Sequence, residues 1–392
     1  MGGALVRRLN VGRAIGLAAL LVQLWLAARV LLRLARTTAG MRLTATSAPI
    51  ADRITAIVPV LNERARLAPC LDGLLAQGQE VAEILVVDGG STDGTRELVT
   101  EYAERDRRVR WLDATPVPEG ENGKAHNLQT GLDAANPAAT WILTIDADVR
   151  PHPALATSLV HHARRAGVCA FSVATEQRLS GWAEALLHPA LLTTLVYRFG
   201  IPGHVATHVA GVQANGQCFF VRRQVVEEIG GFAATRHSVC EDVTLARALV
   251  TAGKPVGFYE GGELVETRMY AGWWDAWRNW TRSLPMRDQF AGGLLGLVEV
   301  SAVQALPPVL FVVWALRQPR GAIAQVASKV NAILTLMRLG VLVGTARAYP
   351  DRPWSYWLSP VCDLPAALGV WFGVARRQHT WRGRSIVRGG PR

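Results

Sequence analysis

The sequence has few of the features that mark a disulfide-bonded protein or a zinc protein. It contains five cysteines, none of them in a C-x-x-C pair, and an odd number cannot all pair within one chain. We interpret them as reduced thiols in a cytosolic domain. His204 and His208 lie four residues apart without a metalloprotease glutamate, so we expect no zinc site there. The chain also contains no G-x-S-x-G sequence, no nucleotide P-loop and no internal repeat.

Acidic residues are scarce as well: there are 31, against 42 lysines and arginines, which gives a net charge of +11. The basic residues cluster near both chain ends, beside hydrophobic segments, so we expect anionic lipid headgroups and not nucleic acid as their partner. With 392 residues, 50% of them hydrophobic, the chain has room for a large α/β domain and a membrane part. No feature of the sequence indicates an oligomeric state.

The apolar run Ala14–Leu32 is long enough to cross a bilayer as a helix. Gln23 and Arg29 interrupt it, and no small-residue cleavage site follows. We therefore expect residues 1–47 to be a membrane anchor with a polar linker, and not a removed signal peptide. A helix lying at the membrane surface is the alternative. The run is flanked by Arg7, Arg8, Arg13, Arg33 and Arg36.

Short β-branched runs alternate with amphipathic helical patterns in residues 48–268. The alternation predicts an α/β fold with helices on both faces of a sheet built from right-handed βαβ units. The predicted strands are Ile54–Leu61, Glu83–Asp88, Val109–Leu112, Trp141–Asp146, Val168–Thr175 and Gly216–Val221. Helices are predicted at Arg223–Ile229 and from Glu241 onward. The apolar stretch Trp182–Tyr197 fits a buried helix or one at the membrane surface.

Tryptophan and arginine alternate in residues 269–290. This composition is typical of a helix at the membrane interface, where an indole ring is half hydrated and a guanidinium meets phosphate. A tryptophan-rich core helix is the alternative. The residues concerned are Trp273, Trp274, Trp277, Trp280, Arg278 and Arg282.

Three hydrophobic segments occupy residues 291–376, and a basic tail follows at 377–392. The segments are Ala291–Leu316, Ala322–Ala346 and Trp354–Ala375. The positive-inside rule places the tail and the α/β domain together on the cytoplasmic side of the cell membrane, which requires an even number of spans after Met269. One segment should then be re-entrant or interfacial, and Pro307-Pro308 points to the first.

Two carboxylates follow the predicted strand at Trp141: Asp146 and Asp148, two residues apart. Both would leave the strand tip on one side, where open α/β sheets bind ligands. Hard cations such as Mg²⁺ and Mn²⁺ prefer carboxylate and phosphate oxygens. The spacing therefore predicts a metal site, with a solvated turn as the alternative.

Polar residues also end the two earlier strands, in Pro59–Glu63 and Asp88–Thr95. Asp88 is placed to accept hydrogen bonds from a base or ribose, and its glycine neighbours allow close backbone approach. Lys124, behind a glycine at a helix N-terminus, is placed for a diphosphate. The alternative for each is local: Asn62 as a helix N-cap, the glycines as turns and the lysine as a surface residue.

Together, these motifs occur in the order and spacing of family 2 glycosyltransferases with the GT-A fold. The resemblance extends over about the first two thirds of the chain. It implies a nucleotide-sugar donor, Mg²⁺ or Mn²⁺ as cofactor, and inversion at the anomeric carbon.

The resemblance also implies roles for single residues. Glu63 and Asp88 would contact the nucleoside, Lys124 would lie near the diphosphate, Asp146 would support the ribose and Asp148 would ligate the metal. The same donor-binding group includes Pro59 and Asn62.

The family pattern expects a later acidic residue as catalytic base, and Asp242 in Cys240-Glu241-Asp242 fits it. An inverting transfer needs a carboxylate to take the proton from the acceptor hydroxyl. The alternative is that both acids complement a helix dipole. On the acceptor side we expect Gly216, Gln217, Glu241, Trp277 and Trp280.

Processive polysaccharide synthases of the family carry Gln-x-x-Arg-Trp on an interfacial helix, and this chain lacks that sequence. We therefore expect transfer of one hexose, such as glucose from UDP-glucose. The runs Ser359–Pro365 and His379–Arg384 resemble membrane-bound glycosyltransferases that act on carotenoids and hopanoid-associated lipids, which implies an isoprenoid lipid acceptor. Polyprenyl phosphate or a polysaccharide is the alternative acceptor. A catalytically silent membrane scaffold is the alternative of another class.

Overall fold

A mixed nine-stranded sheet organises the α/β part of the chain. The computed structural model describes residues 2–317, 321–376, 378–381 and 384–387, so most of the expected basic tail lies outside the described residues. The strands are β1 Ile54–Val60, β2 Val81–Asp88, β3 Val109–Asp113, β4 Trp141–Ile145, β5 Val149–Pro151, β6 Ala170–Gln177, β7 His204–Ala206, β8 Cys218–Arg222, β9 Val256–Thr267, and a separate hairpin of β10 Gln378–Trp381 and β11 Arg384–Val387.

The strand order is β3-β2-β1-β4-β8-β6-β9-β5, and β7 pairs with β9. Strands β1 to β4 are parallel neighbours, whereas β8 runs antiparallel to both β4 and β6. All residues of β1 and β4 are buried, because a central parallel strand is covered on both faces. The predicted α/β fold class is confirmed. Strand β9 was not predicted, because Gly261, Gly262 and three glutamates interrupt its apolar alternation.

The described residues form thirteen α-helices, some of which cover the two faces of this sheet. They are α1 Gly2–Thr37, α2 Arg64–Leu75, α3 Thr95–Arg105, α4 Gly123–Ala134, α5 Leu155–Ala166, α6 Trp182–Phe199, α7 Arg223–Glu228, α8 Glu241–Thr251, α9 Trp273–Ser283, α10 Leu295–Val300, α11 Leu306–Arg317, α12 Ala322–Thr345 and α13 Asp363–Ala375. Helices α2, α3 and α5 pack on one face, and α4, α7 and α8 pack on the other. The five cysteines are unpaired, as expected.

The sheet topology brings the polar strand ends together. Strands β1, β2 and β4 are parallel, so their carboxyl ends share one edge of the sheet. Strand β8 is antiparallel and begins at Cys218, opposite Ile145 at the end of β4. The residues that precede β8 therefore reach the same edge.

Four helices are long and apolar enough to cross a membrane, which confirms the expectation of apolar helices at both ends of the chain. They are Gly12–Thr37, Leu295–Arg317, Ala322–Ala348 and Trp354–Ala375. Polar contacts join them: the Gln23 amide donates to Asn331 Oδ1 at 2.9 Å, and Arg29 pairs with the buried Glu299 at 2.6 Å. The polar residues that interrupt the first apolar run thus bind partners on the later helices.

The expected break at Pro307-Pro308 is wrong, because the helix continues from Leu295 to Arg317. Residues Ser301–Ala305 form a π-helical turn just before the prolines. A proline lacks the amide donor and crowds the carbonyl four residues earlier, and a wider turn relieves that conflict. The irregular segment is the last one, where a 3₁₀ helix at Trp354–Cys362 precedes the 13-residue α13. The 3₁₀ helix and α13 together make up the 22-residue candidate span Trp354–Ala375.

Helices α6 and α9 form the junction between the sheet domain and the apolar helices. Helix α6 is buried along most of its length, so of the two alternatives predicted for Trp182–Tyr197 the structure has the buried helix. Rings of Trp273, Trp277 and Trp280 pack against buried residues of α6 and α13, whereas the Trp274 side chain is 67% exposed. The rings of Trp273, Trp277 and Trp280 are therefore half-buried against neighbouring helices, and an interfacial position of α9 stays a prediction.

Candidate active site

Lys124 lies at the centre of the polar strand ends. Its Nζ is 2.7 Å from Asp146 Oδ1, 2.8 Å from Glu241 Oε1 and 3.4 Å from the carbonyl oxygen of Gly216. Helix α4 starts just before it because the Asn122 side chain accepts from the amides of residues 124 and 125. One ammonium thus joins the ends of β4, α8 and the segment before β8.

Charges at this centre are strongly coupled. Burial alone would lower the pKa of Lys124, but the carboxylates of Asp146, Glu241 and Asp242 raise it above its usual range, so the lysine stays charged. Burial opposes ionisation of Glu241, yet its bond to Lys124 lowers its pKa overall. Burial raises the pKa of Asp146 despite the same lysine. The Lys124–Glu241 ion pair is therefore maintained, and its ammonium is directed at protein oxygens.

Asp148 has a carboxylate oxygen that protein groups leave unsatisfied. Its Oδ1 is buried and has no hydrogen-bond partner among the described residues, while Oδ2 lies 3.9 Å from Arg66 Nη1. Burial and the nearby charge of Asp146 raise the pKa of Asp148 to about 7. An unpaired buried carboxylate is unfavourable unless a cation binds it. Among the described residues no cluster of three or more His, Cys, Asp or Glu could hold a metal by itself. The residues present therefore fit a cation bound by one carboxylate and by ligand oxygens.

Asp242 has no ion-pair partner in the described part of the chain, because Lys124 pairs with Asp146 and Glu241. It lies in the first turn of α8, next to Glu241, which is committed to Lys124. Burial and the charge of Glu241 raise the pKa of Asp242 to about 7. A carboxylate with this pKa can accept a proton near neutral pH.

The predicted donor-side residues separate into two groups. Pro59 and Glu63 line the cavity described below, together with Asp146 and Asp148. Asn62 and Asp88 do not line it. Asp88 Oδ1 accepts from the backbone amides of residues 90 and 91 at 3.0 and 2.8 Å, and Asn62 Oδ1 accepts from the amide of residue 92 at 2.8 Å. These two side chains hold the loop between β2 and α3 in place.

The predicted acceptor-side residues lie mostly on the same cavity. Gly216, Gln217, Glu241 and Trp280 line it, but Trp277 does not, because its ring faces Gly369 of α13. The Gln217 amide is fully engaged: its oxygen accepts from Thr175 Oγ1 at 2.6 Å, and its nitrogen donates to a threonine of β9 at 3.2 Å. Gln217 therefore shapes the cavity wall.

A single cavity of about 1660 Å³ contains these groups. It exceeds the roughly 300–1,000 Å³ of a site for one drug-sized ligand, so it has room for two substrates. Its wall changes from the carboxylates at the strand ends to apolar residues of α6, α1 and α12. The apolar residues include Leu34, Leu192, Leu195, Val196, Met337 and Val341.

Residues 55–242 match the sequence profile of the family described as "Glycosyl transferase family 2". The match begins in β1 and ends at Asp242, so it contains every polar group of the site. This segment is a family 2 glycosyltransferase domain.

Known proteins resemble parts of this glycosyltransferase domain. The chain is 37% identical over 98 residues to the glycosyltransferase GlyA of Streptococcus pneumoniae, which covers 25% of this chain and 13% of that protein. It is 35% identical over 102 residues to the lipopolysaccharide core biosynthesis glycosyltransferase LpsC of Rhizobium meliloti, covering 26% and 34%. The matches thus span about a third of these relatives' length or less. A solved mannosyltransferase from Pyrobaculum calidifontis, in complex with GDP-Man and Mn²⁺, aligns with a TM-score of 0.48 at 20% identity, covering 92% of this chain and 97% of that one.

Two residues of the glycosyltransferase domain were not recognised from the sequence as part of the site. Arg66 bonds Glu63 at 2.7 Å and faces Asp148, and Asn122 donates to Glu241 Oε2 at 3.4 Å. The i, i+3 spacing of Glu63 and Arg66 on one helix face was a usable signal for the first. Asn122 had only its place before the Gly-Lys pair as a signal.

Gly216 should tolerate no side chain. A Cβ there would lie 2.8 Å from Lys124 Nζ and 3.1 Å from Glu241 Oε1, so the ion pairs would have to move. We expect Gly216→Ala to lower the free energy of unfolding by about 1–3 kcal/mol and to reduce sugar transfer. Thermal unfolding and initial rates of the purified variant measure both effects. Gly211→Ala is the control, because a Cβ at residue 211 would meet no atom within 4 Å; equal behaviour of the two variants would contradict the prediction.

Proposed function

We propose that this protein is a membrane-bound inverting glycosyltransferase that transfers one hexose from a nucleotide sugar to the hydroxyl group of a lipid. The observation that carries the proposal is the single cavity that joins the carboxylates of the family 2 domain to apolar residues of α1, α6 and α12. A water-soluble acceptor would not need an apolar wall of this kind. A lipid alcohol has both a hydroxyl group for the polar end and a hydrocarbon part for the apolar end.

The residues at the polar end suit an inverting displacement. Asp242 removes the proton of the acceptor hydroxyl as its oxygen attacks the anomeric carbon, and the bond from that carbon to the diphosphate breaks on the opposite face. The ion pair between Lys124 and Glu241 fixes the N-terminal ends of α4 and α8 next to each other, beside the reacting groups. Mg²⁺ or Mn²⁺, held by Asp148 and the donor phosphates, would stabilise the charge of the leaving diphosphate.

Charge pairing around the cavity supports a neutral acceptor over a lipid phosphate. Of the arginines that line it, Arg42 and Arg347 both bond Glu260, and Arg150 bonds Glu266. Paired guanidinium groups are less available to a phosphate. We propose an isoprenoid alcohol of the carotenoid or hopanoid-associated class, with glucose from UDP-glucose as the sugar. Polyprenyl phosphate remains the second candidate, because Arg268 also lines the cavity and only a serine contact is described for it.

We propose a multi-pass protein of the cell membrane with the catalytic domain on the cytoplasmic side. Arg36 in the last turn of α1 and Arg42 just after this helix lie on the side of the catalytic domain, as the positive-inside rule expects of a cytoplasmic flank. This orientation requires that Leu295–Arg317 and Ala322–Ala348 cross the bilayer and that Trp354–Ala375, in which a 3₁₀ helix precedes α13, does not.

An acceptor assay tests this function. Protein in lipid nanodiscs is incubated with Mn²⁺, radiolabelled UDP-glucose and one of three acceptors: geranylgeraniol, undecaprenyl phosphate or a cello-oligosaccharide. We expect label in a single-sugar product of geranylgeraniol, with the β configuration by NMR. An α-linked product would contradict inversion, and label only in undecaprenyl phosphate would change the acceptor. Absence of any product with UDP-glucose, UDP-galactose and GDP-mannose would favour the silent scaffold.

A further inference from the structure

Two glycines of α12 line the apolar part of the cavity, one helical turn apart. Gly340 and Gly344 are exposed, and a Cβ built on either would meet no heavy atom within 4 Å. Both belong to the candidate membrane span Ala322–Ala348. The wall of the cavity at this point is therefore bare helix backbone inside a membrane segment.

Helices α1 and α12 run parallel, and they contact each other on the N-terminal side of the glycine pair. Gln23 bonds Asn331 at 2.9 Å, and a Cβ on Gly16 would lie 3.8 Å from Ile323 Cγ2. Continued in the same register, Leu34 of α1 comes opposite the glycine pair, and all three residues line the cavity. The cavity thus reaches the seam between two candidate membrane helices at the level of Gly340 and Gly344.

The depth of this seam suits a lipid hydroxyl. Arg347 bonds Glu260 of β9 at 2.6 Å, which fixes this end of α12 to the catalytic domain. Gly344 is three residues earlier, about 5 Å along the helix. The headgroup layers add about 5–8 Å to each side of the hydrocarbon core, so the glycines lie near its boundary.

We propose that the seam between α1 and α12, bordered by Gly340 and Gly344, is the entrance through which the hydrocarbon part of the acceptor passes from the bilayer toward Asp242. This entrance rests on the proposed function, in which the acceptor is a lipid alcohol. The two glycines set its width and so determine which hydrocarbon shapes enter.

Gly340 and Gly344 also form a G-x-x-x-G pair, which in membrane helices often packs against a second helix. A second copy of the chain could occupy such a surface. Continuity with the catalytic carboxylates favours the lipid acceptor, because a packing surface needs no cavity behind it. If a lipid occupies the seam, a bulky residue at Gly344 should leave the oligomeric state unchanged. If a second copy packs there, the same substitution should change it.

The variant Gly344→Phe tests the entrance, and Val343→Phe is the matched control. Val343 is the adjacent residue, 64% exposed and not on the cavity. With radiolabelled UDP-glucose, we expect Gly344→Phe to lose transfer to geranylgeraniol by about 10-fold or more, while transfer to prenol, its water-soluble five-carbon analogue, stays within about two-fold. Val343→Phe should match the wild type on both alcohols. Equal losses on both alcohols, or a Gly344→Phe protein that changes oligomeric state by light scattering, would overturn the proposal.

Cross-linking separates a failure of the entrance from a failure of the proposed function. A long-chain alcohol with a diazirine and an alkyne is irradiated with the protein in nanodiscs, and labelled peptides are identified by mass spectrometry. We expect labelling of α6 and α12 in the wild type and in Val343→Phe, and a clear loss in Gly344→Phe. This pattern without sugar transfer to geranylgeraniol would reject the acceptor class and keep the entrance. Labelling unaffected by Gly344→Phe, or none on α6 and α12 in the wild type, would overturn the entrance.

Discussion

Replacing Asp242 with asparagine should strongly reduce sugar transfer and leave donor binding nearly unchanged. A general base acts on the acceptor proton in the transition state and does not hold the nucleotide, so the loss should fall on kcat. General-base catalysis contributes about 10²–10⁴-fold, which sets the expected loss. Calorimetry with UDP-glucose and initial rates with the lipid acceptor measure the two quantities.

The neighbouring acid provides the comparison for this variant. Glu241 bonds Lys124 at 2.8 Å, so Glu241→Gln should disturb donor binding and stability together with the rate. If Asp242→Asn keeps the wild-type rate, the base is another group, and Glu241 is the next candidate.

The pH dependence of the rate gives Asp242 a second signature. Burial and the Glu241 charge raise the pKa of Asp242 to about 7, so this carboxylate becomes protonated as the pH falls through that value. A protonated base cannot accept the hydroxyl proton, and kcat should fall about tenfold per pH unit well below pH 7. The residual rate of the Asp242→Asn variant should not show this decrease below pH 7.

The second large effect is expected from Asp148→Asn and from metal removal. Asparagine keeps the size of the side chain but loses the negative charge at Oδ1, the buried oxygen that no group among the described residues bonds. We expect transfer to fall by about 10²-fold or more, since the cation would otherwise offset charge on the leaving diphosphate. Rates are measured over a Mn²⁺ titration, and Mn²⁺ binding with UDP is followed by electron paramagnetic resonance.

Asp275→Asn is the matched control for the metal experiment. Asp275 also lines the cavity, but its carboxylate already accepts from the Asn279 amide at 2.5 Å and from the amide of residue 271 at 3.0 Å. Its replacement should leave the Mn²⁺ dependence unchanged. Full turnover of the wild type in excess EDTA would remove the metal hypothesis.

The positions of Asp146, Asp148 and Lys124 could be predicted because local patterns determine them. A buried β-branched run has to be a central strand, and parallel strands leave their ends at one edge of the sheet. The contact between Lys124 and Glu241 could not be predicted, however, because the two residues are far apart in the sequence. Strand β8 runs antiparallel to β4, and this brings Gly216 and the start of α8 to the same edge of the sheet. Asp88 and Asn62 do not reach the cavity, because their side-chain oxygens bind the loop between β2 and α3: Asp88 accepts from the amides of residues 90 and 91, and Asn62 accepts from the amide of residue 92, 30 positions away.

The membrane part was harder to predict, because its contacts join distant segments. The spacing of the tryptophans predicts a helix but does not show which faces of that helix pack against other helices. Helix α9 packs against both α6 and α13. Likewise, two adjacent prolines predict a break only if the preceding turn stays α-helical, and here a π-helical turn takes up the conflict. Tertiary packing decides which rings of α9 are covered, whereas a local change of helix type keeps the segment with the prolines helical.

The ion pair between Arg29 and Glu299 has a consequence for how the protein is made. The two residues are 270 positions apart, so the first helix leaves the ribosome long before its buried partner exists. At about 5–20 residues per second, the wait is roughly 13–54 s, during which the whole catalytic domain emerges. The nascent chain must keep Arg29 and Arg33 solvated at the bilayer edge throughout this interval, and the domain can fold before the helices assemble around Glu299. Biogenesis should therefore proceed from the aqueous domain to the membrane bundle, with the first helix as a tether.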